Sequence, residues 1–210
     1  PYSASKGASE ILVSSYIDSF FRNGKVTVAS ARSGNVIGPF DYAERRIIPD
    51  CIEAITKGNA LAVRNEHSTR PWQHVLEPLS GYLHLGQKLN ANLDLHGEGF
   101  NFGPRAEQNR TVMELLKDSA KSWGLKAEEG YTITDNIKFH EAGLLKLNCD
   151  KALHFLNWQP TWDFNETVRE TAKWYQEYYT KEPVSISDFT SKQIDLFMSD
   201  AKLQNMTWAN

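Results

Sequence analysis

The chain is predicted to fold as an α/β protein: a parallel sheet buried on both faces, followed by a smaller, mainly helical lobe. Three observations carry that prediction. A helix-periodic segment, Tyr2 to Arg22, runs directly into the β-branched stretch Val26 to Ala31, which has the low polar alternation of a parallel strand covered on both faces. A long helical pattern then precedes a second apolar stretch, Gly99 to Phe102, so strand, helix and strand alternate as an α/β layer requires. Beyond Thr111 the pattern is mostly helical.

Taken in order, Ala8, Ile11, Leu12, Tyr16 and Phe20 recur every three or four residues along the first helix, and Asn23-Gly24 supplies its stop. The strand that follows ends in the loop Gly34 to Pro39. Ile47 to Lys57 reads as a helix closed by Gly58-Asn59, Ala60 to Arg64 as a short strand, and Asn65 to Thr69 as a polar connection. A short apolar segment, Gln73 to Leu76, opens a helix that runs to Asn90. Gly103-Pro104 turns the chain after the second strand, and Thr111 with Glu114 three residues later has the spacing of a capping box. Further helices are predicted at Asp150 to Asn157, Asp163 to Tyr179 and Ser187 to Leu203.

A chain of 210 residues with 40% hydrophobic and 23% charged side chains can bury a substantial core without a disulfide or metal staple. Its net charge of −3 gives no general attraction to nucleic acid or anionic membranes, so anion recognition must come from a few placed arginines. Cys51 and Cys149 lie far apart and without metal-ligand spacing, which suits a reducing cytoplasm, and the 6 histidines show no such spacing either. No stretch approaches the ~20 apolar residues of a membrane span. The expectation is a soluble, cytoplasmic protein that binds no nucleic acid, no membrane and no metal.

Tyr2 and Lys6 stand one helical turn apart at the start of the first helix, on one face. A phenol with an ordinary pKa of about 10 is a poor base at neutral pH, and a neighbouring ammonium favours its phenolate. In a hydride-transfer site the lysine and an oxidised nicotinamide would both supply positive charge, and the tyrosine would take a sugar hydroxyl proton as hydride leaves carbon. A bare Tyr-x-x-x-Lys also arises by chance on solvated helices, so the surrounding residues decide. Pro1-Tyr-Ser-Ala-Ser-Lys-Gly-Ala-Ser-Glu10, followed after one strand by Ala31-Arg-Ser-Gly-Asn35-Val-Ile-Gly38, resembles the catalytic helix, strand and substrate loop of extended short-chain dehydrogenases. Within that family, Gly34 to Gly38 with Ile47-Ile-Pro-Asp50, Arg70-Pro-Trp-Gln-His-Val75 with Pro78-Leu-Ser-Gly-Tyr82, and His140-Glu-Ala with Leu145-Lys-Leu147 are similar to CDP-glucose 4,6-dehydratases over essentially the whole chain.

The resemblance implies the C-terminal portion of a Rossmann-like parallel sheet, with residues 1–38 and 73–104 belonging to an NAD-binding domain and 39–72 and 105–210 to a nucleotide-sugar-binding lobe. It implies Tyr2 and Lys6 as catalytic residues, Tyr2, Lys6 and Arg32 as contacts to NAD, and Asn35, Arg70, His140 and Glu141 as contacts to the sugar nucleotide. A guanidinium suits the diphosphate because its fixed fork of donors engages phosphate oxygens two at a time. The implied reaction is NAD-dependent conversion of CDP-glucose to CDP-4-keto-6-deoxyglucose: oxidation at C4, loss of water across C5 and C6, and return of the hydride to C6. Because relatives pack the Tyr-x-x-x-Lys helix in a dimer bundle, and Ala4, Gly7, Ala8 and Ser15 are small, a homodimer is expected. Arg45, Arg46 and Arg64 are further candidates to supplement phosphate binding, although arginines before or after a helix are ordinarily solvated. Two departures stand out: Pro39-Phe40 replaces glycines before the aspartate matched by Asp41, which reshapes the loop over the sugar, and Glu77 replaces the aspartate that usually follows the Arg-Pro-Trp motif.

The chain opens on Pro1 with a helical pattern at once, which reads as a start inside a domain. A glycine-rich turn leading into a helix, with an acidic residue for a ribose further on, is not found in these residues. The sequence therefore predicts that these 210 residues alone bind NAD weakly and turn over nothing. A nucleotide-sugar 4-epimerase and a dTDP-glucose 4,6-dehydratase share the tyrosine, lysine and asparagine and remain open as alternatives. A non-catalytic nucleotide-sugar-binding or dimerisation module is the alternative of another class.

Overall fold

The first helix, α1 (Tyr2–Tyr16), continues into a wider turn of π type at Ile17–Phe21 and carries no buried residue. Its apolar positions have the predicted spacing, yet Ile11 and Leu12 remain 74% and 58% exposed. The computed structural model describes residues 1–22, 26–63, 65–126, 131–133, 143–180 and 186–209.

After α1 the chain enters β1 (Ser30–Ser33) and, one residue later, β2 (Asn35–Ile37). Then follow α2 (Ile47–Thr56), β3 (Leu61–Val63), β4 (Thr69–Arg70), β5 (Trp72–His74) and α3 (Leu76–Ala91). β6 (Gly99–Phe102), β7 (Arg110–Thr111) and α4 (Val112–Ser122) come next, and β8 (Tyr131–Ile133), α5 (Asp150–Leu156), α6 (Phe164–Thr180) and α7 (Ile186–Leu203) complete the order. β1 pairs in parallel with β6, β2 with β5 and β3 with β8, while β4 and β7 are antiparallel.

The transfer from one partner to the next happens at Gly34. Its amide donates to the carbonyl of Phe102 at 3.2 Å, and the next amide, of Asn35, donates to the carbonyl of Pro71 at 3.0 Å. A Cβ on residue 34 would lie 2.6 Å from the Pro71 oxygen, so the crossing needs a glycine for close backbone approach. The parallel layer opens here between β5 and β6, the kind of place where α/β sheets bind ligands.

Two apolar clusters lie on either side of this opening. Leu85, Leu95, Phe100, Phe102, Leu156 and Trp158 join α3 to β6 and α5. Ile37, Ile48, Ile52, Trp72, Leu115, Phe164, Val168, Trp174 and Tyr175 join β2, α2, α4 and α6. α4 starts where its capping box predicts: the Glu114 amide donates to Thr111 Oγ1 at 3.1 Å and the Thr111 amide to Glu114 Oε2 at 2.7 Å.

Polar ties from α3 join the two halves. Its positions 77, 80 and 84 share one helical face. The Glu77 carboxylate accepts the amides of Thr161 at 3.0 Å and Trp162 at 2.7 Å, Ser80 Oγ accepts from Trp158 Nε1 at 3.0 Å, and His84 Nε2 meets the Leu156 carbonyl at 2.8 Å. All three side chains are buried. Burial pushes the Glu77 carboxyl up to about 8, against the opposing pull of the Trp162 and Thr161 amides.

The helix predictions at Ile47 to Lys57, at Asp150 to Asn157 and at the last two segments agree with α2, α5, α6 and α7 to within a residue or two at each end. The first strand differs. β1 begins at Ser30 rather than Val26, and Ala31, Arg32 and Ser33 are exposed. Residues 27 and 28 bond instead to the Leu89 carbonyl and to His96 Nδ1, and with Val26 also 54% exposed the stretch is not enclosed on both faces. Two further segments, predicted as a loop at Gly34 to Pro39 and as the opening of a helix at Gln73 to Leu76, contain β2 and β5. Three-residue strands are too short for a period of two to separate them from loop or helix.

Two outcomes are expected. The folded state keeps the Glu77 proton up to about pH 8 whereas the unfolded chain releases it near 4.5, so the stability this group contributes is full below the lower value and is lost as pH rises to the upper. Thermal denaturation of Glu77→Gln should therefore vary less between those two pH values than that of the native protein; identical slopes would show that Glu77 ionises alike in both states. His74, which burial holds down to about 4, is common to both proteins and cancels in the comparison. Gly34→Ala should lower the free energy of unfolding by about 1–3 kcal/mol in a denaturant titration, because the added methyl meets backbone that cannot move without breaking β2 from β5. No loss would mean that the crossing has slack.

Candidate functional site

A cleft of about 790 Å³ lies at this opening, lined by residues from the β1–β2 crossing, the start of α2, β3, the Arg70–Trp72 segment, and Leu145 and Leu147. It brings Tyr2, Asn35 and Arg70 to one place. Asn35 is placed by its register opposite Trp72, and Arg70 is largely buried, with Nη1 donating to the Thr69 carbonyl at 2.9 Å. Arg45 and Arg46 also line the cleft, at the mouth of α2, together with Asp41 and Asp50. Arg46 Nη1 pairs with Asp41 Oδ2 at 3.2 Å, and the Arg45 amide donates to Asp50 Oδ1 at 3.1 Å. An arginine group beside a helix N-terminus and a second arginine across the cleft form a setting for a phosphorylated ligand.

Tyr2 reaches the cleft from the first turn of α1 and is 76% exposed. The Lys6 ammonium sits 5.6 Å from the centre of the Tyr2 ring, so the two share a face as their spacing predicts. One turn further along that face, Glu10 receives Arg32 in a two-pronged pair, Nε to Oε1 at 2.7 Å and Nη2 to Oε2 at 2.9 Å. Arg32 Nη1 also donates to Asn101 Oδ1 at 3.0 Å, and Ser30 Oγ to Glu10 at 3.0 Å. The Arg32 guanidinium holds the Glu10 carboxyl below its usual range. Arg32 thus fastens α1 to β1 and β6. Neither Lys6 nor Arg32 lines the cleft. His140 and Glu141, and Arg64, lie outside the described residues.

Sequence reasoning offered Arg45 and Arg46 as supplements to phosphate binding and weighed against them the usual solvation of such arginines. Their position immediately before a helix start, where unpaired amides gather anions, was the available signal. Leu61 and Val63 had none, because β3 reaches the cleft only through long-range packing, while Leu147 entered the sequence reading only as part of the Leu145-Lys-Leu147 motif.

A sequence model of the GDP-mannose 4,6 dehydratase family matches residues 1–171. The CDP-glucose 4,6-dehydratase of Salmonella typhimurium is 39% identical over 204 residues, which cover 95% of this chain and 56% of that protein. A crystal structure of dTDP-glucose 4,6-dehydratase from Streptomyces venezuelae with NAD bound superposes with a TM-score of 0.70 at 22% identity, covering 84% of this chain and 51% of that one. UDP-glucuronic acid 4-epimerase from Bacillus cereus, in complex with UDP-glucuronic acid and NAD, does so at 0.71 and 17%, covering 85% and 53%. The chain therefore spans about half the length of these relatives, and the fold is the predicted one: the C-terminal portion of a Rossmann-like α/β architecture with a helical lobe. With the family model fitting from α1 well into α6, this chain belongs to the GDP-mannose 4,6 dehydratase family.

Proposed function

We propose that the protein carrying this chain converts CDP-glucose to CDP-4-keto-6-deoxyglucose with NAD, and that these residues form the substrate side of its active site. The observation that carries the reading is the convergence of Tyr2, Asn35 and Arg70 on one cleft in a chain 39% identical to a CDP-glucose 4,6-dehydratase. Residues 1–38 and 73–104 are assigned to the NAD-binding domain and 39–72 and 105–210 to the sugar-nucleotide lobe, with Ala152, Leu156 and Trp158 of the lobe packing on the α3 and β6 cluster and Ile37 on that of α2, α4 and α6.

NAD, when bound, supplies the hydride acceptor that makes C4 a ketone and thereby acidifies the C5 proton. Tyr2 and Lys6 fit the nicotinamide end of such a group, since their face of α1 meets the cleft at Tyr2 and the cleft is open there. Tyr2 takes the proton of the C4 hydroxyl, with the Lys6 ammonium 5.6 Å from the centre of its ring. Arg32 serves the cofactor through Glu10, by holding the helix that presents both residues. Asn35 bonds the sugar, and Arg70 grips the diphosphate with Arg45 and Arg46 beside it; for His140 and Glu141, outside the described residues, the role of substrate contact rests on the sequence resemblance. The exposed Ile11, Leu12 and Tyr16 of α1, with Phe20 in the turn that follows, support a homodimer. A cytoplasmic enzyme that supplies deoxysugars for cell-surface polysaccharide, lipopolysaccharide O-antigen included, is the setting that fits this chemistry.

In the complete protein, CDP-glucose with NAD should yield a 4-keto product detectable by mass, and UDP- and dTDP-glucose should react more slowly. Tyr2→Phe should lower kcat by about 10²–10⁴-fold with little change in KM, as expected for loss of a positioned base. Arg70→Lys should instead raise KM by about tenfold, since an ammonium cannot make the two-pronged contact. Sugar oxidation that is indifferent to Tyr2→Phe would remove the proposed base, and faster turnover of another nucleotide sugar would reassign the substrate.

A further inference from the structure

The loop from Gly38 to Arg46 forms one wall of the cleft through Asp41, Arg45 and Arg46, and it holds two non-glycine residues in the left-handed region: Phe40 at φ 58° and Arg45 at φ 65°. Bulky side chains avoid that region, so the loop keeps its shape only if its surroundings impose it. On the side away from the cleft stands α6. Trp174 packs against the Phe40 ring with centroids 4.6 Å apart, and the Tyr42 ring approaches those of Tyr175 and Tyr178 at 6.4 and 6.2 Å.

Tyr175 does more than pack. It is fully buried, and its hydroxyl points into the loop backbone. The oxygen accepts the amide of Asp41 at 3.1 Å and lies 2.9 Å from the carbonyl of Asp41 and 3.2 Å from that of Gly38, where its one proton is donated. The backbone on both sides of Phe40 is therefore tied to one atom. From there the order passes to side chains: the Asp41 carboxylate accepts the Ala43 amide at 3.2 Å and the Arg46 guanidinium at 3.2 Å. Tyr175 lies beyond residue 171, where the match to the family model stops.

We infer that Tyr175 is a positioning residue for the substrate cleft: its buried hydroxyl fixes the Gly38–Asp41 backbone and, through Asp41, the direction of the Arg46 guanidinium. The inference rests on the reading of the cleft as the nucleotide-sugar site. Tyr175 touches no substrate; it sets how the sugar nucleotide is held, so its loss falls on KM more than on kcat. Phenylalanine would fill the same apolar space and leave the Asp41 amide without its acceptor.

The test uses the complete protein with CDP-glucose and compares Tyr175→Phe with Thr190→Val. The second variant removes the hydrogen bond that Trp174 Nε1 makes to Thr190 Oγ1 at 2.8 Å, between α6 and α7, and leaves the Tyr175 hydroxyl and its bonds to the Gly38–Asp41 backbone in place. Tyr175→Phe should raise KM about five- to tenfold, the effect of one lost hydrogen bond, with kcat within about twofold of native. Hydrogen exchange at the Asp41 amide should quicken in Tyr175→Phe and stay slow in Thr190→Val. An unchanged KM, or an equal rise in Thr190→Val, overturns the inference. A native protein whose Asp41 amide exchanges as fast as an unprotected one overturns it too, without any variant having to fold. A native protein that makes no 4-keto product defeats the functional reading alone, and exchange at Asp41 then decides whether Tyr175 holds the loop.

Discussion

The arrangement of the cleft depends on a carboxyl group buried at the start of α3. Glu77 takes the backbone amides of Thr161 and Trp162, at the turn that leads into α6. An unpaired amide in that interior would be costly, and so would an unpaired carboxyl oxygen; each removes the other's penalty. Ser80 and His84 continue the same face toward Trp158 and the Leu156 carbonyl. Since α3 also packs on β5 and β6, this polar seam fixes α6 relative to the sheet. The aromatic face of α6 then supports the loop that closes the cleft, so a residue of the sheet half governs the geometry of the lobe.

The second constraint is the crossing at Gly34. A strand that changes partner within one residue, from β6 to β5, opens the sheet at that point and leaves the neighbouring side chains facing a gap. Asn35 stands at the gap because it is the first residue after the change. Arg70 stands there because it precedes Pro71, whose carbonyl receives the Asn35 amide. Sequence neighbours of a backbone contact thus become functional neighbours, with no requirement on their side chains except chemistry.

Much of this was legible in the sequence where periodicity is long. The 3.6-residue repeat identified the long helices, and the Thr111–Glu114 pair located the start of α4. The pairing of Tyr2 with Lys6 followed from spacing alone, because a helix face is a local property. What the sequence did not disclose is non-local. β2, β5 and β8 span three residues each and exist by virtue of their partners. The enclosure expected around Val26 to Ala31 was inferred from composition, which reports how apolar a strand is but not what covers it. Arg32 is a related case: the resemblance implied a cofactor contact, and the spacing of residues gave no sign that its guanidinium also braces α1 through Glu10. Tyr175 carried no signal at all, since one tyrosine among several on an amphipathic helix looks like core until its hydroxyl is traced to a loop 134 residues earlier in the chain.

Charge shows the same separation of global from local. A protein with net charge −3 has no field that would draw in an anion from a distance, yet three arginines line this cleft. Screening at physiological ionic strength limits such attraction to about 8 Å, so what matters is how the guanidiniums are aimed within the cleft. Asp41 sets that aim for Arg46 at the expense of part of its charge, which lowers non-specific attraction and leaves a fixed direction for donors. Affinity in a site of this kind comes from preorganisation, because the entropy of ordering an arginine is met during folding and not when the ligand arrives. The strained loop, the tyrosine beneath it and the aspartate within it therefore form a single device, in which the backbone conformation is converted into a fixed direction for the Arg46 donors.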